Sequence, residues 1–331
     1  MVSIYWNIRT WIALGAALLA LGITLAVTPG FSNPGNLYAL LQTFAVLALI
    51  TCGLAMVMIA GEFDLSIAGV VPLAGLLTVK VGESAGIAVG ILAALGVSAA
   101  VGVLNGWLTA RFSVPSLAVT VGTLVATTGL GYAVTDGGVV TMTNYQFGLW
   151  LDNAIAGVLS PRTLIALALV GLAVFLMSRT WFGVTIRAVG SDQNRARFSG
   201  LPTNRAIIGV FVVSALFAGT AGSLQALSLA AGQPGTNLSL LLQAVTAVII
   251  GGVALTGGKG RLSGVLCGAL LLAITSNAMS YHGAATAAIQ LVSGVILLAI
   301  LLLDTPLDRL VKRSLERVST AAEKEYHHAV A

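Results

Sequence analysis

Two carboxylates, Glu62 and Asp64, lie close together between two long apolar runs of the sequence. Residues 61–66 read Gly-Glu-Phe-Asp-Leu-Ser, so the hydroxyl of Ser66 follows both acids. Ionisable groups at membrane depth are costly and commonly functional, which makes Asp64 a candidate for contact with a transported solute. A structural role is the alternative, because Asp64 and Ser66 suit the N-terminus of a following helix, where the helix dipole favours an anion. The sequence leaves both roles open.

An arginine-rich segment covers residues 179–205 and has the pattern of a short helix. Asp192 is predicted to cap that helix, which runs through Arg197 and Phe198, and Gly200 is placed to end it. A short amphipathic helix rich in arginine suits docking onto another protein. The alternative is an ordinary solvated loop that carries positive charge.

A glycine-rich stretch at residues 250–264 predicts a tight turn between packed helices. It is not a phosphate-binding loop, because that motif requires glycine where Val253 stands and serine or threonine where Gly260 stands. No grouping of Ser, His, Asp or Cys typical of catalysis is present, and no histidine pair has metal-ligand spacing. Cys52 and Cys267 both lie in apolar runs and are interpreted as buried thiols. The sequence therefore predicts a protein that is not an enzyme and has no cofactor and no metal.

The elements that must position these residues are predicted to be membrane-spanning helices. Apolar residues make up 57% of the chain and charged residues only 8%, against about 25% charged in a soluble domain. The expected fold is an all-α integral membrane protein, a polytopic bundle of about ten transmembrane helices of roughly 20 residues each. The third and eighth apolar segments border glycine-rich stretches and can be broken or re-entrant. The segments are 11–28, 37–60, 66–81, 86–109, 114–134, 161–178, 206–229, 240–256, 262–281 and 285–303.

The placement of lysine and arginine predicts the orientation of the chain. With the N-terminus in the cytoplasm, all of the 16 basic residues except Lys80 and Arg162 fall on the cytoplasmic side. Both termini are then cytoplasmic in a multi-pass protein of a bacterial plasma (inner) membrane. The net charge of +5 fits an anionic inner leaflet and requires no nucleic acid. Residues 1–304 are predicted to form one transmembrane domain, and residues 305–331 a charged cytoplasmic tail.

Three segments together resemble the ribose-type permeases of ABC importers, in the branched-chain-amino-acid/ribose permease superfamily. Residues 61–66 resemble the family's Gly-Gly-Ile-Asp-Leu-Ser, and residues 251–260 resemble its late Gly-Gly…Gly-Gly-Arg-Gly turn. The arginine-rich segment resembles the family's Phe-Gly…Ala-Val-Gly-x-Asn…Ala-Arg-x-Ser-Gly stretch. The segments occur in family order and spacing, and the resemblance covers residues from about 37 to 304. Glu62, Phe63 and Arg195 depart from the family pattern.

The resemblance implies a fold like that of the vitamin-B12-type importer and a set of partners. These are an ATP-binding ABC subunit, a second permease subunit (a copy or a homologue), an extracytoplasmic sugar-binding protein and the membrane lipid. The function implied is a permease subunit that translocates a small sugar, a monosaccharide, while the partner subunit hydrolyses ATP. By the same resemblance, the residues that couple to the ATPase are Arg187, Ala188, Gly190, Asp192, Ala196, Arg197 and Gly200, and Arg187 and Arg197 are expected to offer charge-assisted contacts.

The residues that line the transport path are expected to include Asp64, Ser66, Asn105 and Asn277. Polar residues inside the apolar segments, such as Gln225 and Gln243, are otherwise expected to form hydrogen bonds between helices. The rival hypothesis is a stand-alone secondary transporter or channel for a small polar solute. The apparent absence of carboxylates deep in a span argues against ion coupling of that kind.

Overall fold

The computed structural model describes residues 2–302, and helices make up nearly all of that part of the chain. The predicted tail, residues 305–331, lies outside the described residues. In chain order the helices are α1 (Val2–Val27), α2 (Pro34–Ile59), α3 (Ile67–Ala85), α4 (Ile87–Phe112), α5 (Ser116–Thr135), α6 (Gln146–Leu151), α7 (Pro161–Arg179), α8 (Trp181–Ser191), α9 (Gln193–Phe198), α10 (Thr203–Leu229), α11 (Leu238–Ile250), α12 (Leu262–Tyr281) and α13 (Thr286–Leu302). Two short strands, β1 (Val140–Thr141) and β2 (Ala231–Gly232), pair antiparallel.

Eight of the helices in the described part are long and apolar enough to cross a membrane. They are α1, α2, α3, α4, α5, α7, α10 and α12, so the predicted polytopic bundle is confirmed. The eighth predicted span, 240–256, was too long at its C-terminal end, because the helix α11 ends at Ile250 and a glycine turn follows. Its 13 residues extend about 20 Å, less than the roughly 30 Å of a bilayer core.

The centre of the bundle is formed by α2, α3 and α10, whose most apolar stretches are mostly buried. Peripheral helices such as α4 and α5 are as apolar as the central ones but bury far less of their length. Their exposed side chains include Leu92 and Val125, as expected where lipid takes the place of water. Glycines let α4 approach α10 closely: a Cβ at Gly102 would lie 2.7 Å from the carbonyl oxygen of Phe211.

Contacts between helix ends define the two ends of the bundle. Arg9 packs against Gly252, and the N–H of Gly258 donates to the carbonyl of Ile59 at 2.8 Å. The starts of α1 and α12 and the ends of α2 and α11 therefore share one end, which we call the basic end. At the opposite end, Thr28 and His282 form a hydrogen bond of 2.9 Å.

Two non-helical segments run into the bundle and meet inside it. Residues 60–66 lead from the basic end to α3, and residues 230–237 lead from the opposite end to α11. Gly232 lies against Leu76 of α3, and five residues later the N–H of Asn237 donates to the carbonyl of Ala68 at 2.8 Å. The second segment thus follows α3 back toward its first turn. Irregular backbone at this depth is tolerated because it is buried in protein or lines a cavity.

Candidate functional site

The glycines of the three recognised sequence segments converge at the basic end. A Cβ at Gly257 would lie 2.6 Å from the Cα of Gly61 and 2.8 Å from the carbonyl oxygen of Gly190. A Cβ at Gly190 would lie only 1.9 Å from the carbonyl oxygen of Ile59. Gly61 and Gly257 also have positive φ, which favours glycine. The segments therefore form one packed junction, which we call the glycine junction.

The neighbouring acid Glu62 is half-buried beside the glycine junction. Burial raises the pKa of the Glu62 carboxyl, and a hydrogen bond from the Ser116 hydroxyl lowers it in part. The same Ser116 oxygen accepts from the N–H of Phe63 at 3.0 Å. The first turn of α5 therefore holds the segment that leads into α3.

The arginine-rich segment contains two helices, not the one short helix predicted. The predicted one is α9, and the side chain of Asp192 caps it by accepting from the N–H of Arg195 at 3.0 Å. Gly200, with a φ of +78°, follows its C-terminal end as expected. The additional helix is α8, which carries Gly190 into the glycine junction. Sequence reasoning missed α8 because its apolar side chains and glycines pack on α2 and α10, contacts that a sequence does not reveal.

Of the seven predicted coupling residues, one is buried, two are exposed, and the remaining four are half-buried, namely Arg187, Ala188, Gly190 and Asp192. Arg187 is half-buried, and its Nη1 donates to the carbonyls of Met177 at 2.8 Å and Gly183 at 3.2 Å. Arg187 therefore ties α8 to the end of α7, a contact that the expected role in docking did not include. Ala196 is buried, whereas Arg197 is exposed.

Two aromatic side chains near these arginines stand out because they are exposed. Phe198 is 91% exposed and Trp181 is 79% exposed, and they lie at the end of α9 and the start of α8. Aromatic residues and arginine are enriched in protein interfaces. Sequence reasoning treated Phe198 only as the end of a helix and did not single out Trp181.

Asp64 is fully buried and lies in a hydrogen-bonded cluster with Ser66 of the same segment and with residues of α4 and α10. Its Oδ1 accepts from the N–H and hydroxyl of Ser66 at 3.1 and 2.5 Å, and its Oδ2 accepts from the hydroxyl of Ser214 at 2.9 Å. Asn105 donates through Nδ2 to the Ser66 oxygen at 2.9 Å. We call these four residues the Asp64 cluster.

The Asp64 cluster brings together three of the four predicted path residues. The fourth, Asn277, lies on α12 and makes no hydrogen bond to the cluster. As predicted, no carboxylate lies deep within a described spanning helix, but the Asp64 carboxylate, in the segment between α2 and α3, reaches Ser214 well inside α10. The side chains of the cluster are buried and line none of the cavities described below.

A series of three cavities begins beside the second irregular segment and continues between α11 and α13. The first two are lined by more polar than apolar surface, and the third is lined mainly by apolar surface. The first, of about 260 Å³, lies between α3, α10 and residues 231–237. The second, of about 320 Å³, shares Gln225 and Asn237 with it, and a third, of about 230 Å³, shares Ser239 and Gln243 with the second. Gln225 and Gln243, which the sequence suggested as partners in hydrogen bonds between helices, thus line these cavities. The series is called the polar track below.

The polar track reaches a charged cluster toward the opposite end of the bundle. Arg162 lines the second cavity, donates from Nε to Oε1 of Gln42 at 2.8 Å, and lies 3.0 Å from Oδ1 of Asp152. Gln42 in turn donates to the hydroxyl of Ser160 at 2.7 Å. Asp152 offsets the charge of Arg162, so the other polar side chains of the second cavity are amides and hydroxyls, groups suited to a neutral polar solute.

Comparison with known proteins assigns this architecture. The family described as the permease component of the branched-chain amino acid transport system matches residues 36–301. The chain belongs to this family of membrane permeases. The permease is 34% identical to the L-arabinose ABC transporter permease protein AraH of Azospirillum brasilense, over 90% of this chain and 88% of that protein. The resemblance seen in the sequence is thereby confirmed.

Two further relatives carry names of the same kind. The permease is 32% identical to the L-arabinose transport system permease protein AraH of Escherichia coli strain K12, over 83% of this chain and 84% of that protein. It is 28% identical to the ribose import permease protein RbsC of the same strain, over 89% of this chain and 95% of that protein. The likeness therefore extends along almost the whole permease.

Proposed function

We propose that this permease is the membrane subunit of an ATP-driven ABC importer and that its cargo is a small sugar, a monosaccharide such as a pentose. The observation that best supports a sugar as the transported solute is the polar track. Sugar hydroxyls both donate and accept hydrogen bonds, and the amides of Gln225, Asn237 and Gln243 do the same. The names of the relatives point to the same class of solute.

The exposed parts of α8 and α9 are the proposed contact with an ATP-binding subunit. Phe198 and Trp181 offer apolar area, and Arg197 offers charge for hydrogen bonds to acidic groups of the partner. Since α8 also enters the glycine junction, a docked ATPase that moves α8 would also displace the ends of α2 and α11, which pack at the same junction. Arg187 would support this surface from within.

The remaining partners and the orientation complete the proposal. The basic end faces the cytoplasm of a bacterial inner membrane, with both termini on that side. An extracytoplasmic sugar-binding protein delivers the cargo to the opposite end, and a second permease subunit closes the polar track. Catalysis belongs to the ATP-binding partner.

The buried carboxylate of Asp64 gives some support to a second candidate, a stand-alone ion-coupled transporter. Intramembrane carboxylates are frequent in such proteins. In this chain, however, both Asp64 oxygens already accept hydrogen bonds from serine groups. A structural role therefore accounts for the buried carboxylate without ion coupling.

Co-purification from the native host membrane tests the proposal. An ATP-binding subunit is expected to accompany the tagged wild-type permease, and Arg197→Glu combined with Phe198→Ala is expected to remove it. Tyr145→Ala, which changes an aromatic side chain exposed at the opposite end, serves as the control and should retain it. Recovery of the permease alone, under conditions that preserve other ABC complexes, would favour the stand-alone transporter.

Uptake of labelled L-arabinose and D-ribose by cells with and without the permease tests the cargo. Loss of uptake of either pentose in the deletion strain, restored by the wild-type gene, supports the proposal. Unchanged uptake of both, in cells in which the complex is assembled, would reject a pentose as the cargo.

A further inference from the structure

A separate cavity of about 640 Å³ opens at the basic end, away from the polar track. It lies between the last turns of α7, the helix α8 and the turn that joins α11 to α12. Its lining residues are Val174, Met177, Ser178, Arg187, Gly258, Lys259, Gly260, Arg261, Leu262 and Ser263. We call it the basic cavity.

Cations dominate the polar lining of the basic cavity. Arg187, Lys259 and Arg261 line it, and no carboxylate does so within residues 9–302. Burial and the neighbouring Arg261 lower the pKa of Arg187, so these two side chains are close enough to repel each other. The two carbonyl acceptors of Arg187 fix its position but carry no negative charge. An anion in the cavity would be attracted to Arg187 and Lys259.

The backbone adds positive potential at the same place. The helix α12 begins at Leu262, and no side chain in the described part of the protein caps its N-terminus. The first N–H groups of a helix carry partial positive charge and bind phosphate well. The hydroxyl of Ser263 supplies a further donor, whereas that of Ser178 already donates to the carbonyl of Val174 at 2.6 Å.

The other wall of the basic cavity is apolar. Val174 and Met177 belong to a helix long and apolar enough to cross the membrane, and Leu262 opens another. Phe175, beside Val174, is 55% exposed on the outer face of α7. Cations above an apolar wall at the end of a span match an amphiphile with an anionic head.

From this arrangement we propose that the basic cavity binds a phosphate group, carried by the headgroup of an anionic phospholipid. The phosphate would contact Arg187, Lys259 and Arg261, and an acyl chain would lie along Val174 and Phe175. Because Arg187 belongs to α8 and Gly258 to the glycine junction, the lipid would stabilise the same junction that carries the proposed coupling.

Lipid binding to the delipidated, detergent-solubilised permease tests this site by native mass spectrometry. The probes are phosphatidylglycerol, phosphatidylcholine and inorganic phosphate, each titrated separately. Phosphatidylglycerol is expected to bind more tightly than phosphatidylcholine. In the variant Lys259→Gln with Arg261→Gln, its dissociation constant should rise about 25-fold, at roughly fivefold for each cation removed.

A charge-matched control separates the site from general electrostatics. Arg111→Gln with Arg197→Gln removes two exposed cations that lie outside the cavity, and it should leave phosphatidylglycerol binding within about twofold of wild type. The thermal midpoint of each variant is measured in detergent without lipid, and a midpoint near that of the wild type shows that the fold is retained.

The outcomes are distinct. Inorganic phosphate that binds as tightly as the lipid, with the same loss in the cavity variant, would support the phosphate site but give it a soluble source. Equal phosphatidylglycerol binding by the wild type and the cavity variant, or equal losses in the cavity variant and the control, would overturn the proposal. Loss of the ATP-binding partner from the cavity variant with lipid binding unchanged would also overturn it, since these cations would then serve a protein interface.

Discussion

At the scale of single residues, the most constrained group is the carboxylate of Asp64. A buried carboxyl group of this kind is tolerable only if its lone pairs are satisfied, and the Asp64 cluster supplies three donors from two serines. These bonds connect the segment that leads into α3 with α10, and Asn105 extends the connection to α4. The cluster therefore holds residues 60–66 in place, because this segment lacks the regular backbone hydrogen bonds of a helix or a sheet.

Replacement of Asp64 by leucine should therefore destabilise the permease strongly, whereas asparagine should be tolerated. Leucine leaves the Ser66 and Ser214 groups without an acceptor, at about 1–3 kcal/mol for each buried group. Asparagine keeps one acceptor for Ser66 and can donate to the Ser214 oxygen. The thermal midpoint in detergent measures both changes.

Asp136→Asn is the matched control for the Asp64 variants, because this exposed residue has a φ of 49°, a conformation that asparagine accepts readily. Its midpoint should equal that of the wild type. A midpoint for Asp64→Leu as high as that of Asp64→Asn would show that the cluster does not hold this segment.

At the scale of elements, the glycine junction explains why three separate motifs are needed. Gly61 follows α2, Gly190 is near the end of α8, and Gly257 lies in the turn between α11 and α12. Gly190 and Gly257 allow backbone approaches that a side chain would block, and Gly61 has a φ of +85°, which favours glycine. The bond from Gly258 to Ile59 closes the junction, so a shift of α8 must strain its neighbours.

Gly190→Ala is expected to disrupt the glycine junction. Its Cβ would come within 1.9 Å of the Ile59 oxygen, and relief of such overpacking costs about 1–3 kcal/mol. We expect a lower thermal midpoint and weaker co-purification of the ATP-binding partner.

Gly171→Ala is the natural comparison, since a Cβ there meets nothing within 4 Å in the middle of α7. Alanine should be neutral there or stabilise the helix by about 0.5–1 kcal/mol. If Gly190→Ala has the same thermal midpoint and the same co-purification of the ATP-binding partner as Gly171→Ala, the close packing at the junction does not contribute to stability.

The sequence predicted well the elements that depend on local chemistry. Long apolar runs identified the spanning helices, and Asp192 and Gly200 marked the bounds of α9. It failed where tertiary contacts decide the outcome: α8 is held by packing on α2, and α11 ends at Ile250, just before Gly251, against which Val265 of α12 packs. The polar track was missed for the same reason, since Asn237 stands outside the apolar runs and meets Gln225 only in the folded bundle.

At the scale of the whole molecule, basic residues gather at one end, whereas the polar track lies nearer the other. Arg9, Arg111, Arg187 and Lys259 belong to the basic end, and Arg162 near the opposite end is paired with Asp152. Such asymmetry orients membrane proteins with the positive side in the cytoplasm. In this orientation the polar track receives solute from outside, while α8 and α9 meet the ATPase within.

Labelling with a membrane-impermeant maleimide tests this orientation. Phe198→Cys reports on the basic end and Leu149→Cys on the opposite end, and both side chains are well exposed. They are placed singly in a Cys52→Ala, Cys267→Ala background, which removes both natural cysteines. In intact spheroplasts only Leu149→Cys should react, and Phe198→Cys should react only after the membrane is opened. The reverse pattern would place the basic end outside, and the proposed contacts with a cytoplasmic ATPase and an external binding protein would then both be wrong.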